Sequence, residues 1–232
     1  VVGELVKEYL FDFKNILKLG NEISAHSYNH IRPLTQSKNT FYNDSKTVRD
    51  SIKKKLNIES LGYRAPCFSI DKERYDILKK IGYKYDSSKI NAGFHPLYGE
   101  LNMDGNNTLF TNIYNDNGFY EFELPTVKFL GKNIPISGGG YLRIIPWFLY
   151  KYLLKKFLKN SNTFFFFIHP FELSNKKIYL PKDIDLISKL RFSLGRSYGL
   201  KRTKKLIKIL KNEGFEFKTF KSLIESINNT ND

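Results

Sequence analysis

Cysteine is scarce in this sequence: the single thiol, Cys67, excludes an internal disulfide framework and leaves the redox compartment open. There is also no run of about 18 apolar residues, the length that a membrane-spanning helix needs. No internal repeat is visible in the sequence. The N-terminal stretch VVGELVKEYL has neither an initiating Met nor a signal-peptide pattern, so we expect the chain to begin in the middle of a domain.

Acidic residues are few relative to basic ones, with 23 Asp and Glu against 38 Lys and Arg and a net charge of +15. Such a balance favours anionic partners, namely nucleic acid, an anionic membrane surface or an acidic glycan. The basic clusters can equally be solvated helix faces. They accompany no known nucleic-acid-binding motif, so we expect no nucleic acid and keep an anionic membrane surface as a candidate partner.

The length of 232 residues suits one α/β domain with a sizeable core and is short for two. We therefore expect a single domain over residues 1–232, with a loop or hairpin insertion at the Asn- and Gly-rich residues 91–120. Apolar periodicity predicts helices, which cover residues 4–18, 44–56, 71–80, 145–159 and 201–212.

Short apolar segments between these helices predict strands, and polar residues able to do chemistry follow them. These residues are His26, Arg64, Asp86 and His169. The last segment, residues 163–168, contains four consecutive Phe residues, which suits a parallel strand buried on both faces. In parallel α/β barrels the active site forms at the carboxyl ends of the strands, so we expect these four residues to share one rim.

Two motifs lie in the N-terminal half. HSYNH places His26 and His30 four residues apart, a spacing at which two imidazoles can bind one metal ion such as Zn²⁺. The alternative is two unrelated polar histidines on a surface turn. In GYRAPCFS, a proline fixes the loop after Arg64, which either pairs with a buried carboxylate or supports the loop at the surface.

Two further motifs lie in the C-terminal half. In FFFFIHPFE, His169 is a candidate general acid, the alternative being a core histidine bonded to the backbone. In SGGGYLR, Gly139, Gly140 and Tyr141 belong to a stretch that either lets the backbone approach a ligand or forms a flexible connector. It is not a phosphate loop, because no GK[ST] follows.

In this order, the motifs together resemble those of the NodB-type polysaccharide deacetylases, carbohydrate esterases of family four that remove N- or O-acetyl groups from sugars. HSYNH is similar to the family's HSxxH, GYRAPCFS to its RxP motif, GYKYDSS to the segment holding its fourth-motif Asp, and FFIHPFE to the strand ending in its catalytic His. RAPCFSI, YDSS, PISGGGYLR and IHPFE most resemble an exopolysaccharide-associated subgroup. The resemblance runs from Val1 to about Glu172.

This resemblance implies an α/β fold, a distorted (β/α) barrel that here lacks its first strand or strands, with the site at its C-terminal rim. It implies that His26 and His30 bind a divalent metal ion, Zn²⁺ in the first instance. It further implies that Arg64 orients the catalytic base.

The remaining roles also follow from the resemblance. His169 would be the general acid, and Asp86 would tune it through a hydrogen bond. The backbone N–H of Cys67 would stabilise the oxyanion. The residues expected against the substrate or oxyanion in the glycine-rich motif are Gly139, Gly140 and Tyr141.

One departure from the family is the absence of an Asp-Asp pair, which there supplies the base and the third metal ligand. We therefore expect a fragment that is incomplete at its N-terminus, with this pair upstream of Val1, and that is inactive and poorly soluble alone. The expected function is a metal-dependent hydrolase that removes acetyl groups from an N-acetylated polysaccharide, its substrate and partner.

Two alternatives from other classes remain. One is a non-catalytic polysaccharide-binding or scaffold module of an envelope or exopolysaccharide assembly system. The other is a basic protein that binds a membrane or nucleic-acid surface. The sequence leaves the localisation open between the bacterial cytoplasm and a membrane-associated envelope site.

Overall fold

The computed structural model describes residues 1–93, 95–176 and 186–231. The chain forms two compact units: unit 1 comprises residues 1–89, 94–123 and 217–232, and unit 2 comprises residues 90–93 and 124–216. Each unit has a hydrophobic core of its own. The single domain expected over residues 1–232 stays a prediction.

The secondary structure is of the mixed α/β class. The α-helices are α1 Leu5–Glu8, α2 Leu10–Lys18, α3 Lys38–Leu56, α4 Lys72–Ile81, α5 Gly139–Ile144, α6 Trp147–Leu158, α7 Leu186–Ser193, α8 Arg196–Asn212 and α9 Phe220–Asn231. The strands are β1 Gly62–Tyr63, β2 Tyr85–Asp86, β3 Asn107–Phe110, β4 Ile113–Asp116, β5 Phe119–Phe122, β6 Thr126–Phe129 and β7 Lys132–Pro135. Short 3₁₀ helices lie at Pro33–Thr35, Pro66–Phe68 and Pro170–Leu173.

The sheet of unit 1 has the strand order β1-β2-β5-β4-β3. Strands β1, β2 and β5 run parallel, so that Tyr63 pairs with Asp86 and Asp86 with Glu121. Strands β5, β4 and β3 are antiparallel. Ala25 adds a parallel bridge to Tyr63. The carboxyl ends of these parallel segments therefore meet at one edge of the sheet, as the sequence predicted.

Local capping explains the two long helices of unit 1. Helix α3 follows Ser37, whose Oγ accepts the Thr40 N–H at 3.1 Å. Helix α4 follows Asp71, whose carboxylate accepts the Arg74 N–H at 2.9 Å, and it ends at Gly82 with φ of 96°. The helix predicted over residues 71–80 is confirmed, whereas the one predicted from residue 44 begins earlier, at Lys38.

Other expected elements differ in detail. The helix predicted over residues 4–18 is divided at Tyr9, whose φ and ψ of −105° and 32° are not helical. The predicted strand at residues 163–168 is wrong: the segment forms one parallel bridge, Phe167 to Gly138, and its side chains are only partly buried. The reason is local, because the partner segment turns into helix α5 at Gly139 and offers no further strand to pair with.

Residues 91–120, expected to be a loop or hairpin insertion, contain strands β3 and β4, which continue the sheet through β5; Phe94 lies outside the described residues. The β4–β5 turn is formed by Asn117 and Gly118, with φ of 52° and 84°. Positive φ at both central residues matches the right-handed twist of the flanking strands and favours an Asn-Gly pair.

Unit 2 combines the antiparallel β6–β7 hairpin with helices α5, α6, α7 and α8. The helices predicted over residues 145–159 and 201–212 are confirmed as α6 and α8. Their apolar faces share a core, whose buried residues are Val127, Ile136, Leu142, Tyr150, Leu153, Leu154, Phe157, Leu206 and Leu210. In the part of the chain that the structure describes, no helix has the length and apolarity to cross a membrane.

The core position of Ile52 generates a stability prediction. Ile52 is fully buried in α3, so Ile52→Ala should lower the free energy of unfolding by about 2–5 kcal/mol. Lys54 is exposed on the same helix, and Lys54→Ala should change it by no more than about 0.5 kcal/mol. Urea denaturation of both variants measures the difference, and equal losses would contradict this packing of α3.

Candidate active site

The HSYNH segment begins where the parallel sheet ends. The Ala25 N–H donates to the Gly62 carbonyl at 2.9 Å, and the Arg64 N–H donates to the Ala25 carbonyl at 3.0 Å. These two bonds fix the main chain on either side of the bridge. His26 is therefore the first side chain beyond the sheet edge.

Left-handed backbone conformations occur within this loop. Ser27 and His30 have φ of 62° and 57°, a region that costs a non-glycine residue about 1–3 kcal/mol. Neighbouring contacts hold the conformation: the Ile31 N–H donates to Ser27 Oγ at 3.2 Å, and the Tyr28 N–H lies 3.2 Å from both carboxylate oxygens of Asp44. Strain retained in this way is typical of functional sites.

The two imidazoles of the loop lie together. The ring centroids of His26 and His30 are 4.8 Å apart in an edge-on arrangement. His26 Nδ1 lies 2.6 Å from the Arg64 carbonyl oxygen. Because a carbonyl only accepts, Nδ1 carries the proton and Nε2 keeps its lone pair.

His26 is neutral at physiological pH. Burial lowers its pKa to about 3, outweighing the hydrogen bond to Arg64, and the positive charges of His30 and Arg64 lower it further. A neutral imidazole with a free Nε2 is the form that binds a divalent metal ion. The alternative of two unrelated surface histidines does not account for this arrangement.

Arg64 follows strand β1 and is held by the next strand end. Its Nε donates to the Ser87 carbonyl at 2.8 Å, and its Nη2 donates to Ser87 Oγ at 2.6 Å. The carboxyl groups of Asp86 and Glu121 act electrostatically on the guanidinium. Of the two interpretations of Arg64, these contacts favour the association with buried carboxylates.

Cys67 lies in the 3₁₀ helix Pro66–Phe68, with a left-handed φ of 54°. Burial raises the pKa of its half-buried thiol, so the group is not a thiolate nucleophile at neutral pH. Phe68 has the same φ of 54°, and its N–H donates to the Ala65 carbonyl at 2.9 Å. The oxyanion role of the Cys67 N–H stays a prediction.

Asp86 and Glu121 form a buried carboxyl pair. They lie directly opposite one another on β2 and β5, both fully buried, and among the described residues no donor reaches Asp86 Oδ2 or Glu121 Oε2. Glu121 Oε1 accepts the N–H groups of Ser88 and Lys89 at 3.0 and 2.8 Å. Two carboxylates this close cannot both be charged, so the pair shares a proton.

The environment determines the pKa values of this pair. Burial raises the pKa of Asp86 to about 6, against the hydrogen bond from Ser88 and the charge of Arg64. Burial and then the charge of Asp86 raise the pKa of Glu121 well above its ordinary value. Among the described residues, the other titratable groups that interact with the pair are Tyr63, Arg64, Tyr75 and Tyr114.

The shared proton predicts an unusual pH dependence of stability. Folding raises both pKa values, so the native state binds more protons than the unfolded state, and stability falls as the pH rises from about 4.5 through 6 and beyond. Glu121→Gln keeps a hydrogen-bond donor toward Asp86 without a titrating proton. It should flatten this decline, on the order of 1 kcal/mol per unit of pKa difference removed.

Thermal unfolding between pH 5 and 8 measures the effect, with Glu225→Gln on the exposed surface of α9 as the control. An identical decline in the wild type and in Glu121→Gln would rule out the shared proton.

His169 lies in unit 2, next to the Phe167 bridge. Its side chain is 54% exposed and stacks on Phe171 with ring centroids 5.5 Å apart. Its Nδ1 lies 3.3 Å from Glu172 Oε2. The alternative of a core histidine is therefore wrong, and an exposed imidazole beside a carboxylate is suited to proton transfer.

The glycine-rich motif forms helix α5 and not a flexible connector. A Cβ at Gly139 would lie 2.1 Å from Glu172 Oε2, so this glycine makes room for that carboxylate. The contacts of Gly139, Gly140 and Tyr141 with a substrate stay predictions.

The predicted site residues fall into two sets. Unit 1 brings His26, His30, Arg64 and Asp86 to the carboxyl edge of one sheet, and unit 2 contains His169 and the glycine-rich motif. That His169 shares a rim with the histidine pair stays a prediction.

Two buried carboxyl groups escaped the sequence reasoning. Glu121 lies in strand β5, whose four residues are all buried, and a charged residue among apolar ones in such a strand is a signal for a buried polar contact. Glu172 lies three residues after His169, a spacing at which side chains meet in a helical turn.

The histidine pair fits two positions of a metal site. Among residues 1–93, 95–176 and 186–231, no cluster of three or more His, Cys, Asp or Glu residues is arranged to hold a metal ion. The pair therefore supplies only part of the three protein ligands typical of a catalytic zinc site.

These observations define an α/β protein with a histidine-lined edge of a parallel sheet. Comparisons with known proteins show which families this chain is similar to. Residues 1–85 match the family model described as polysaccharide deacetylase. Residues 87–225, more than half of the chain, match a domain of unknown function, DUF3473.

A curated peptidoglycan deacetylase of Helicobacter pylori is 27% identical over 100 residues, which are 41% of this chain and 33% of that protein. The chain thus spans about a third of this curated relative.

Solved structures show the same fold. A structure from Mycobacterium smegmatis that bears the name of a polysaccharide deacetylase has a TM-score of 0.61 at 14% identity, covering 100% of this chain and 71% of that one. A CE4 domain of a multidomain xylanase from the hindgut metagenome of Trinervitermes trinervoides has a TM-score of 0.50 at 15% identity, covering 97% and 74%. A CE4-family pseudoenzyme from Bacillus anthracis has a TM-score of 0.50 at 15% identity, covering 96% and 53%.

Residues 1–85 belong to a polysaccharide deacetylase domain, and the chain belongs to the DUF3473 family over residues 87–225, which is the exopolysaccharide-associated type. Its fold is the NodB-like α/β fold that the motifs predicted.

Proposed function

We propose that this chain is the part of a metal-dependent deacetylase that removes acetyl groups from an N-acetylated polysaccharide. The observation that carries the proposal is the His26–His30 pair, with rings 4.8 Å apart and the His26 Nδ1 committed to a carbonyl. Membership of the polysaccharide deacetylase family supports the reaction class.

His26 Nε2 and His30 would hold a divalent metal ion, Zn²⁺ by the preference of imidazole nitrogen. Such an ion supplies Lewis-acid polarisation of the acetyl carbonyl and acidifies a water molecule. The base and the third ligand would be the aspartate pair that this sequence does not contain. Arg64, fixed on Ser87, would orient that base.

His169 would give a proton to the leaving amine, a contribution of roughly 10²–10⁴-fold. The N–H of Cys67 would stabilise the oxyanion, a contribution of about 3 kcal/mol for a well-placed donor. Tuning of His169 by Asp86 remains an assignment from the resemblance.

Substitutions of His26 and His169 distinguish metal binding from proton transfer. In the enzyme that contains this chain together with its aspartate pair, His169→Ala should keep the metal and lose turnover by roughly 10²–10⁴-fold. His26→Ala should lose both, because a ligand is removed. Metal content and acetate release from an acetylated chitooligosaccharide are the two measurements.

His95→Ala is the matched control, since His95 stacks on Tyr98 outside the candidate site, and it should keep both properties. The assignments fail if His26→Ala retains the metal or if His169→Ala turns over at the wild-type rate.

A second candidate function is a non-catalytic polysaccharide-binding or scaffold module. The observation that favours it is the lack, among the described residues, of a group of three metal-binding side chains. Glycan binding without acetate release or metal uptake, in protein that includes the sequence upstream of Val1, would establish this alternative.

We also propose an anionic membrane surface as a partner. Helix α6 exposes Phe148, at 75%, and Tyr152 beside Lys151, Lys155 and Lys156. Aromatic and basic side chains on one helix surface suit an anionic interface.

Co-sedimentation with vesicles tests this partner. Binding to phosphatidylglycerol-containing vesicles should exceed binding to phosphatidylcholine vesicles and should fall several-fold in Phe148→Ser. Equal binding to both kinds of vesicle, together with unchanged binding in Phe148→Ser, would contradict an anionic membrane surface as a partner.

A further inference from the structure

Glu172 is a buried carboxylate that none of the sequence motifs assigned to the chemistry. Its side chain is 3% exposed, and it lies in the 3₁₀ helix Pro170–Leu173 that follows His169. A charge this deeply buried is stable only when its oxygens are paired. The contacts of its two oxygens therefore indicate what it does.

Each oxygen of Glu172 has its own partners. Oε1 accepts from Nε of Arg143 at 3.0 Å, and that side chain is also only 3% exposed. Oε2 accepts the main-chain N–H of His169 at 2.9 Å and lies 3.3 Å from Nδ1 of its ring. One carboxylate thus connects a buried arginine with both the backbone and the ring of the candidate general acid.

Glu172 is ionised. Burial would raise its pKa, but the hydrogen bonds from His169 and the charges of His169 and Arg143 outweigh burial and leave the pKa below its ordinary value. An ionised carboxylate only accepts hydrogen bonds, so the imidazole nitrogen that faces it must be the donor. The Nδ1–H tautomer follows from this contact.

Two glycines leave space for Glu172 at this position. A Cβ at Gly139 would lie 2.1 Å from Glu172 Oε2, and one at Gly199 would lie 1.8 Å from the Glu172 carbonyl oxygen. Gly140, the next residue of α5, is different: its Cβ would come no closer than 3.9 Å, to Glu172 Oε1. Of the two α5 glycines, Gly139 is therefore the one that admits the carboxylate.

We propose that Glu172 is the positioning residue of His169: its carboxylate holds the Nδ1 proton and leaves Nε2 as the nitrogen that exchanges a proton with the leaving group. The proposal rests on the proposed role of His169 as general acid. It assigns to Glu172 the hydrogen bond that the family resemblance gives to Asp86. Nδ1 carries a single proton, so only one of the two carboxylates can be its main acceptor.

Two arginines of the described residues lie beside this contact. Arg143 reaches Glu172 from α5, and Arg196 of α8 donates to the carbonyls of Phe171 and Ser174 at 3.4 and 2.8 Å. Asp86 is already bonded to Ser88 Oγ at 2.7 Å and lies opposite Glu121 within unit 1. Asp86 is thus engaged with other partners, and Glu172 is in contact with the ring.

The tautomer of His169 tests the proposal without any activity assay. ¹⁵N NMR of the neutral imidazole, assigned by its loss in His169→Gln, should show the Nδ1–H form as the major species. In Glu172→Ala no side-chain acceptor faces Nδ1, and a neutral imidazole without such a partner favours the Nε2–H tautomer. The Nε2–H form should then become the major species. Asp86→Asn should leave the tautomer as in the wild type.

Removing an acceptor from Arg143 can unfold the protein, because a buried unpaired charge costs several kcal/mol. Gly139→Ala provides an independent test, since its Cβ displaces the flexible carboxylate without changing a titratable group. It should shift the tautomer toward Nε2–H, whereas Gly140→Ala should leave the tautomer unchanged. The two variants add the same methyl group to the same helix.

Acetate release by the enzyme that contains this chain together with its aspartate pair provides the second measurement. Glu172→Ala or Gly139→Ala should lower kcat by roughly 10–100-fold with little change in KM, as for other residues that orient a functional group. A wild-type Nε2–H tautomer, an unchanged tautomer in Gly139→Ala, or a switch caused by Asp86→Asn would overturn the proposal. If the tautomers behave as expected and no form releases acetate, the role of Glu172 stands and the deacetylase function falls.

Discussion

The hydrogen bond from His26 Nδ1 to the Arg64 carbonyl, at 2.6 Å, determines how the histidine loop meets the sheet. Through it, the residue after one parallel segment is tied to the residue after the next. The same Arg64 extends its guanidinium to Ser87, beyond β2. These hydrogen bonds thereby connect the carboxyl ends of neighbouring strands. The candidate site residues of unit 1 lie at these strand ends.

Serines continue this connection toward the buried acids. Ser88 Oγ accepts the Ala65 N–H and donates to Asp86, each at a distance between 2.7 and 2.8 Å. Asp86 in turn pairs with Glu121 on the neighbouring strand. The arrangement buries two acids beside one arginine, a combination that holds only when a proton is shared and every remaining oxygen is paired.

Local signals in the sequence predicted a good part of this structure. Asp71 and Gly82 delimit α4 because capping depends on neighbouring residues alone, and the ends of β1 and β2 were predicted from short apolar segments. The run of Phe residues before His169 led to the wrong prediction of a strand, because an apolar run of that length is typical both of a paired strand and of an unpaired extended segment. The early start of α3 at Lys38 escaped because the polar Ser45 lies between Phe41 and Val48 on the buried face and interrupts the apolar pattern.

Contacts between residues far apart in the sequence were not predicted. The Asp86–Glu121 pair joins residues on different strands, and the Gly139–Glu172 approach joins two motifs that the sequence treated separately. Glycine in SGGGYLR was correctly associated with close approach, but the group that Gly139 admits in this structure is the carboxylate of Glu172. Patterns of residue type do not contain such pairings, which arise only when the chain has folded.

The central proposal is that residues of this chain take part in metal-dependent deacetylation, and metal removal tests it most directly. The enzyme that contains this chain and its aspartate pair should release acetate from an acetylated glycan, lose that activity on chelation, and regain it when one equivalent of Zn²⁺ is returned. In His26→Ala the returned metal should fail to restore activity. Acetate release that survives complete chelation would contradict the account.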